Sequence, residues 1–263
     1  MGDQDQLPIS VCMISGAEAH RIGKALASVA GWTREILVVL NEEVADGTEE
    51  IARAQGARVY REPWKGFIGQ KNSAAAKATQ PWILGLDADE VVSVPLQAEI
   101  RRLFATRLET PGPVAYDFPR CTFYCGRWIR HGDWYPDRGA RLWQKDRAVW
   151  VGTDPHDRLE LHGSVGHLRQ DLWHFSYVNI DHQLRKIAQY SSYFAEDRLA
   201  RGQSVSAWDL AVRPWWRFVR AYVIRGGFLD GWQGFYIAWQ TAFFTLTRYA
   251  KVLEKGASRT PAP

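Results

Sequence analysis

The chain has 263 residues, 46% of them apolar, which is enough for one large domain with an appendage and excludes a globally disordered protein. Its net charge of +4 decides little, but the distribution is uneven: residues 1–200 carry 24 Lys/Arg against 26 Asp/Glu, and residues 201–263 carry nine against three. Three cysteines, Cys12, Cys121 and Cys125, form no zinc-knuckle spacing; they predict free thiols and a reducing compartment, and the polar, acidic N-terminus predicts no secretion signal.

The first hundred residues alternate strand-like and helix-like segments. Residues 9–14 (ISVCMI) form a short apolar run, and 18–30 follow with Ile22, Leu26 and Val29 on one helical face. Residues 35–40 (EILVVL) are nearly continuous and β-branched, as a strand buried on both faces requires. A helix start is expected at Asp46, with acids in its first turn. Strand 57–60, helix 69–79 and strand 81–86 (PWILGL) complete a βαβαβαβ order, which predicts a mostly parallel sheet covered by helices. The last strand runs into Asp87-Ala88-Asp89-Glu90. Ligands in such sheets bind beyond the carboxyl ends of the strands, and this turn lies at one of them, as does Asn41-Glu42-Glu43 at another. Two carboxylates two residues apart offer hard oxygen ligands for Mg2+ or Mn2+, a cation that keeps water and accepts diphosphate oxygens.

A helix at 95–104 and a Pro/Gly break at 111–113 follow, then short strands and loops with many polar aromatics to 175. Within them, Arg120, Arg127, Arg130, Arg138 and Arg141 stand among aromatics such as Trp134, a pattern suited to a phosphorylated or acidic glycan on the acceptor side and also to ordinary surface arginines over tryptophans. Three helices are expected at 179–201, 208–226 and 230–254, and a disordered tail from 255. Residues 208–249 hold 13 aromatics, flanked by five arginines and Lys251. The uncharged run 231–247 has 17 residues, short of the roughly 20 that a spanning helix needs. Helices lying in the interface of an anionic membrane, or core helices packed on the catalytic domain, both suit that pattern.

The segments ISVCMISGAEAHRI, EILVV with DGTEEIA, WKGFIGQKNSAA and WILGLDADE resemble the family 2 glycosyltransferases with a GT-A fold. Trp64-Lys65-Gly66-Phe67 with Gln70-Lys71-Asn72, and the later pieces GRWIRHGDWYPD, RLW, DPHDRL, HFSY and RGGFLDGWQGFYIAW, are similar to its lipopolysaccharide-core glucosyltransferase-like branch. The resemblance spans residues 8–253 and implies a catalytic domain over 8–177, with a nucleotide-sugar half to 110 and an acceptor half from 111, followed by a helical appendage over 178–254.

The resemblance further implies a metal ligand in Asp89, a carboxylate near the donor ribose or metal in Asp87, and donor-binding residues in Lys71 and Asn72. His174 matches a later histidine near the metal or diphosphate, although a histidine beside a tryptophan also serves as a hydrogen-bonded structural residue. Transfer is expected to invert the anomeric centre, with a carboxylate taking the acceptor proton. Asp157 of His156-Asp157 is the candidate base, Asp154 the alternative, and a turn-capping aspartate the plain structural role. Two departures bear on the donor. Ala17-Glu18 stands where the family carries Asn-Glu, and Leu40-Asn41-Glu42-Glu43 replaces the stretch with a uracil-reading Asp, leaving Glu18 and Asn41 as the donor-side candidates. A UDP-sugar is the favoured donor, a lipid-linked or cell-surface glycan the acceptor, and the inner face of the cytoplasmic membrane the expected location, with no nucleic-acid partner. A nucleotidyltransferase on a related fold and a non-catalytic glycan-binding scaffold remain open alternatives.

Overall fold

The computed structural model describes residues 6–106, 112–154 and 156–257. Four parallel strands form the centre of the sheet: β1 (Leu7–Ser15), β2 (Thr33–Asn41), β3 (Arg58–Glu62) and β4 (Trp82–Gly85), in the spatial order β3-β2-β1-β4. Cys12 of β1 lies between Leu37 of β2 and Gly85 of β4, which sets the register. Helices α1 (Ile22–Ala27), α2 (Thr48–Ala54) and α3 (Gly66–Lys77) make the crossovers. α1 is shorter than the apolar spacing over 18–30 predicts, and α3 starts three residues before the predicted 69.

Alternation along the strands supplies two cores. Ile9, Val11 and Met13 join Ile36 and Val38 on one face, and Cys12, Leu37 and Val39 take the other. Burial pushes the Cys12 thiol up to about 12, so it is an inert packing residue. Glu35, a buried acid of β2, is satisfied by its neighbours: it accepts from Thr79 N–H at 2.8 Å and Thr79 Oγ1 at 3.0 Å, and from Ser10 and Arg58.

Beyond β4, β5 (Glu90–Val92) leads into α4 (Val94–Thr106). The long β6 (Ala115–Tyr124) and β8 (Asp137–Gln144) pair antiparallel, and β8 pairs antiparallel with β4. β7 (Arg127–Ile129) folds back on the end of β6. β9 (Ala148–Thr153) and β10 (His156–Leu161) form a separate hairpin; β11 (Val165–His167) runs along β6, and β12 (Leu172–His174) pairs antiparallel with β5.

The chain groups into two compact units, residues 1–120 with 137–174, and 121–136 with 175–263. The second unit holds α5 (Ile180–Ala200), α6 (Ala207–Val219) and α7 (Gly231–Ala257). Asn179 caps α5 by accepting from His182 N–H at 2.8 Å, and Ser206 with Asp209 forms a capping box on α6. The predicted helix 208–226 is α-helical only to Val219 and continues as one wider turn over Arg220–Ile224. α7 includes residues 255–257 of the predicted tail; 258–263 lie outside the described residues.

α7 carries large apolar side chains on both its buried and its exposed face. Its buried positions include Ile237, Tyr249 and Val252 together with the smaller or polar Gln233, Gly234, Ala238, Ala242 and Thr245, while Trp232, Phe235, Trp239, Phe243 and Leu246 are exposed on a stripe of helical spacing. Small residues are needed inside: a Cβ on Gly234 would stand 1.8 Å from the Gly227 carbonyl oxygen.

Candidate active site

The site is organised by the turn that ends β4. Asp87 C=O accepts from Glu90 N–H at 2.9 Å, and Glu90 Oε2 accepts from Asp87 N–H at 3.0 Å, so the turn closes on itself. Glu90 is fully buried, and its Oε1 receives Arg120 and Arg141, each at 3.0 Å. A buried carboxylate tolerates this environment only with such partners, and the pairing fixes both guanidiniums beside the turn. Arg141 also reaches Asp87 Oδ2 at 3.2 and 3.3 Å. Burial opposes ionisation of Asp87, but Arg141 and Lys71 outweigh it and hold the carboxyl below its ordinary value.

Asp89 faces other partners. Its Oδ2 lies 3.5 Å from His174 Nε2 and 3.4 Å from Arg21 Nη1. His174 arrives there because β12 pairs with β5 in a register that sets His174 opposite Glu90. The imidazole comes from far along the chain, and strand pairing alone delivers it.

The W-K-G-F-x-x-Q-K-N stretch is the clamp between α3 and the β9–β10 hairpin. Asp154 accepts from Phe67 N–H at 3.0 Å and Ile68 N–H at 3.2 Å, capping α3 from the hairpin turn. Gly66 has φ +79°, and a Cβ there would lie 1.8 Å from Asp154 Oδ2, so the motif requires glycine. Asn72 donates to the Trp150 carbonyl at 2.8 Å and accepts from Trp150 N–H at 3.0 Å, so both ends of its amide hold β9. Lys71 then stands over the Trp150 ring at 4.4 Å, 2.6 Å from Asp157 Oδ2 and 4.0 Å from Asp87 Oδ1.

Asp87, Asp89, Asp157 and His174 are thus gathered with Lys71, Arg141 and Arg21 at one end of the sheet. Other sequence candidates are placed differently. Glu18 pairs with Arg21, Asn41 closes the end of β2 by accepting from Glu43 N–H at 3.4 Å, and Asp46 accepts from Thr48 N–H and Ala19 N–H, both at 3.1 Å. The N-cap position of α2 itself is Gly47, so Asp46 supports that helix from one residue earlier. Arg138 is spent on Asp117 and on the Leu168 carbonyl. Arg127, Arg130 and Trp134 belong to the second unit. There Arg127 donates to the Leu229 carbonyl, Arg130 N–H to Asp230, and Trp134 stacks on Tyr177. Arg21 and Glu90 stand in the quoted motifs but carry no sequence signal of their own; only folding shows one beside Asp89 and the other beneath Arg120 and Arg141.

Among the described residues no three His, Cys, Asp or Glu side chains cluster as a metal cage. Asp89 still fits a hard divalent cation that shares its shell with substrate, because Mg2+ is ordinarily bound by one or two carboxylates plus phosphate and water, and His174 Nε2 stands 3.5 Å from that carboxylate as a second donor.

Residues 10–158 match the family model described as glycosyl transferase family 2. An uncharacterised glycosyltransferase of Rickettsia typhi is 32% identical over 255 residues, 94% of this chain and 87% of that protein. The lipopolysaccharide core biosynthesis glycosyltransferase LpsC of Rhizobium meliloti is 26% identical over 259 residues, 96% of this chain and 94% of that one. The mannosyltransferase of Pyrobaculum calidifontis, solved with GDP-Man and Mn2+, superposes with a TM-score of 0.54 at 13% identity, covering 95% of this chain and 88% of that one. The chain belongs to glycosyltransferase family 2, and its fold is GT-A. That membership sets aside the nucleotidyltransferase alternative.

Proposed function

We propose that this glycosyltransferase inverts the anomeric centre as it moves a sugar from a nucleotide diphosphate to a glycolipid or cell-surface glycan such as lipopolysaccharide core, at the inner face of the cytoplasmic membrane. The observation that carries it is the convergence of Asp89 with His174 and of Asp157 with Lys71 at the carboxyl end of one sheet. A bound Mg2+ or Mn2+, held by Asp89 and His174, would supply charge neutralisation for the departing diphosphate. Lys71, Arg141 and Arg21 supply fixed positive charge in the same place, which suits an anion that gains charge as it leaves. Asp157 takes the proton of the acceptor hydroxyl as that oxygen bonds to the anomeric carbon; no covalent intermediate with the chain is needed. Asp154 is committed to capping α3, and this favours Asp157 over it as the base.

A UDP-sugar is the donor we infer first, with Glu18 and Asn41 as the donor-side candidates. For the membrane, the support is the exposed stripe of α7 together with Trp215, Val223, Ile224, Phe228 and Leu229, all in the second unit and each more than half exposed except Phe235, Trp239 and Leu246 of the stripe. No described helix is long and apolar enough to cross a bilayer. Aromatic side chains beside arginines suit the headgroup region.

Titration calorimetry with Mn2+ and UDP-, GDP-, CMP- and dTDP-sugars tests the donor, and a product assay tests transfer. Asp89→Asn is expected to lose Mn2+-dependent donor binding. Asp157→Asn is expected to keep donor binding and lose about 10²–10⁴-fold in turnover. Wild-type turnover by Asp157→Asn removes it as the base, and absence of any nucleotide-sugar binding favours a non-catalytic scaffold.

A further inference from the structure

The second unit carries an open pocket of about 240 Å3, well above the ~15 Å3 that one water needs. α5, α6, α7 and the Asp133–Trp134 turn line it, with Asp133, Lys186, Arg217 and Gln240 as its main polar residues and Trp134 and Tyr177 among its aromatic walls. Positive charge is in excess there. Asp133, only 6% exposed, is the shared partner of Arg217 at 3.6 Å, Arg220 at 2.8 Å and Arg225 at 3.4 Å. Arg248, held over the rings of Phe194 and Phe244, adds to the field at Arg217. Burial, together with Arg220, Arg248 and Arg225, holds Arg217 below the usual guanidinium value despite Asp133.

The lining is also incompletely hydrogen-bonded. Arg217 Nε and Gln240 Oε1 are buried atoms without a hydrogen-bond partner among the described residues, and Asp133 Oδ1 has the Arg225 ion pair in place of a hydrogen bond. Buried polar atoms are ordinarily satisfied, so these point to a guest that offers both anionic oxygens and hydroxyl donors. The outer walls of the same helices carry the exposed aromatic stripe. From this cavity we infer that the second unit binds the phosphomonoester head group of a membrane amphiphile, with Lys186 and Arg217 on the phosphate and Gln240 and Asp133 on neighbouring hydroxyls. This deepens the membrane-face proposal above and rests on it.

The test uses the full chain in sedimentation with phosphatidylcholine vesicles doped with either phosphatidic acid, a phosphomonoester, or phosphatidylglycerol, a phosphodiester, at matched surface charge. Wild type is expected to favour phosphatidic acid by about tenfold, as one or two charge-assisted hydrogen bonds would give. Lys186→Gln and Arg217→Gln should each erase that preference, while Arg213→Gln, whose partner is Asp209 outside the cavity, keeps it. Thermal melting checks that each variant folds, and Gln240→Ala provides a variant that leaves the arginines untouched. Equal binding of the two vesicles by wild type overturns the pocket but leaves the membrane face standing. If neither vesicle binds, the membrane face itself fails. Calorimetry with glycerol 3-phosphate then decides the rest: binding lost in Arg217→Gln assigns the cavity to soluble phosphate esters and overturns the lipid, and no binding overturns the anion site altogether.

Discussion

Gly66 and Glu90 show how single positions hold the catalytic end together. Gly66→Ala places a methyl against Asp154 and forces an L-residue into a left-handed conformation. A loss of about 1–3 kcal/mol is expected in the unfolding free energy measured by denaturant titration. Asp154→Ala in the same background removes the clash but also the cap of α3 and leaves the backbone strain, so it should not restore the lost stability. Glu90→Gln leaves Arg120 and Arg141 without their buried counter-charge. Breaking such a pair costs ~3–5 kcal/mol, and donor affinity should fall with it because Arg141 also holds Asp87.

Between elements, polar side chains supply the joints. Asn72→Ala removes both hydrogen bonds from α3 to β9 and leaves the Trp150 main chain unpaired; about 1–3 kcal/mol of stability is expected to go, with faster amide exchange at Trp150. At the other end of α3, Glu62 of β3 accepts from Lys65 at 2.8 Å, Ser73 at 2.6 Å and Lys77. Burial raises its pKa, but those partners win and take it from 4.5 down to about 2. A depressed carboxyl contributes stability above its unfolded value, and that contribution is lost as pH falls from 4.5 towards 2. Unfolding free energy measured across that window should fall more steeply in wild type than in Glu62→Gln. Parallel curves would remove Glu62 from the acid transition.

For the molecule as a whole, the exposed aromatic stripe of α7 matters most. Truncation near Ala207 looks like a clean way to remove a membrane-facing tail, yet α6 and α7 pack on each other and α7 packs on α5, so deletion would strip the second unit's core. Point changes on the exposed stripe avoid this. Trp232→Ser with Trp239→Ser should lower vesicle binding strongly while leaving the melting temperature within a few degrees, because both side chains are about half exposed. Unchanged vesicle binding in that double variant would place the membrane contact elsewhere.

The amino-acid sequence by itself determined the alternating strands and helices of the first hundred residues, the family, and the Asp87–Glu90 turn at a strand end. These depend on local periodicity and on contiguous motifs, which survive in one dimension. It also identified the residues of the W-K-G-F-x-x-Q-K-N stretch, though not that Phe67 and Asn72 bond to a hairpin for which Gly66 leaves room, whereas Lys71 faces two carboxylates. Only the tertiary structure decided that His174 stands at Asp89, that Arg141 pairs with Asp87 and Glu90, and that Arg127, Arg130 and Trp134 lie in the other unit. Those pairings depend on strand register and on charge neutralisation between residues far apart in the chain, and no spacing in the sequence records either. The aromatic run after Trp208 was legible as unusual. Which of its side chains face outward was not, because α7 carries large apolar residues on both faces and hydrophobicity alone does not choose between them.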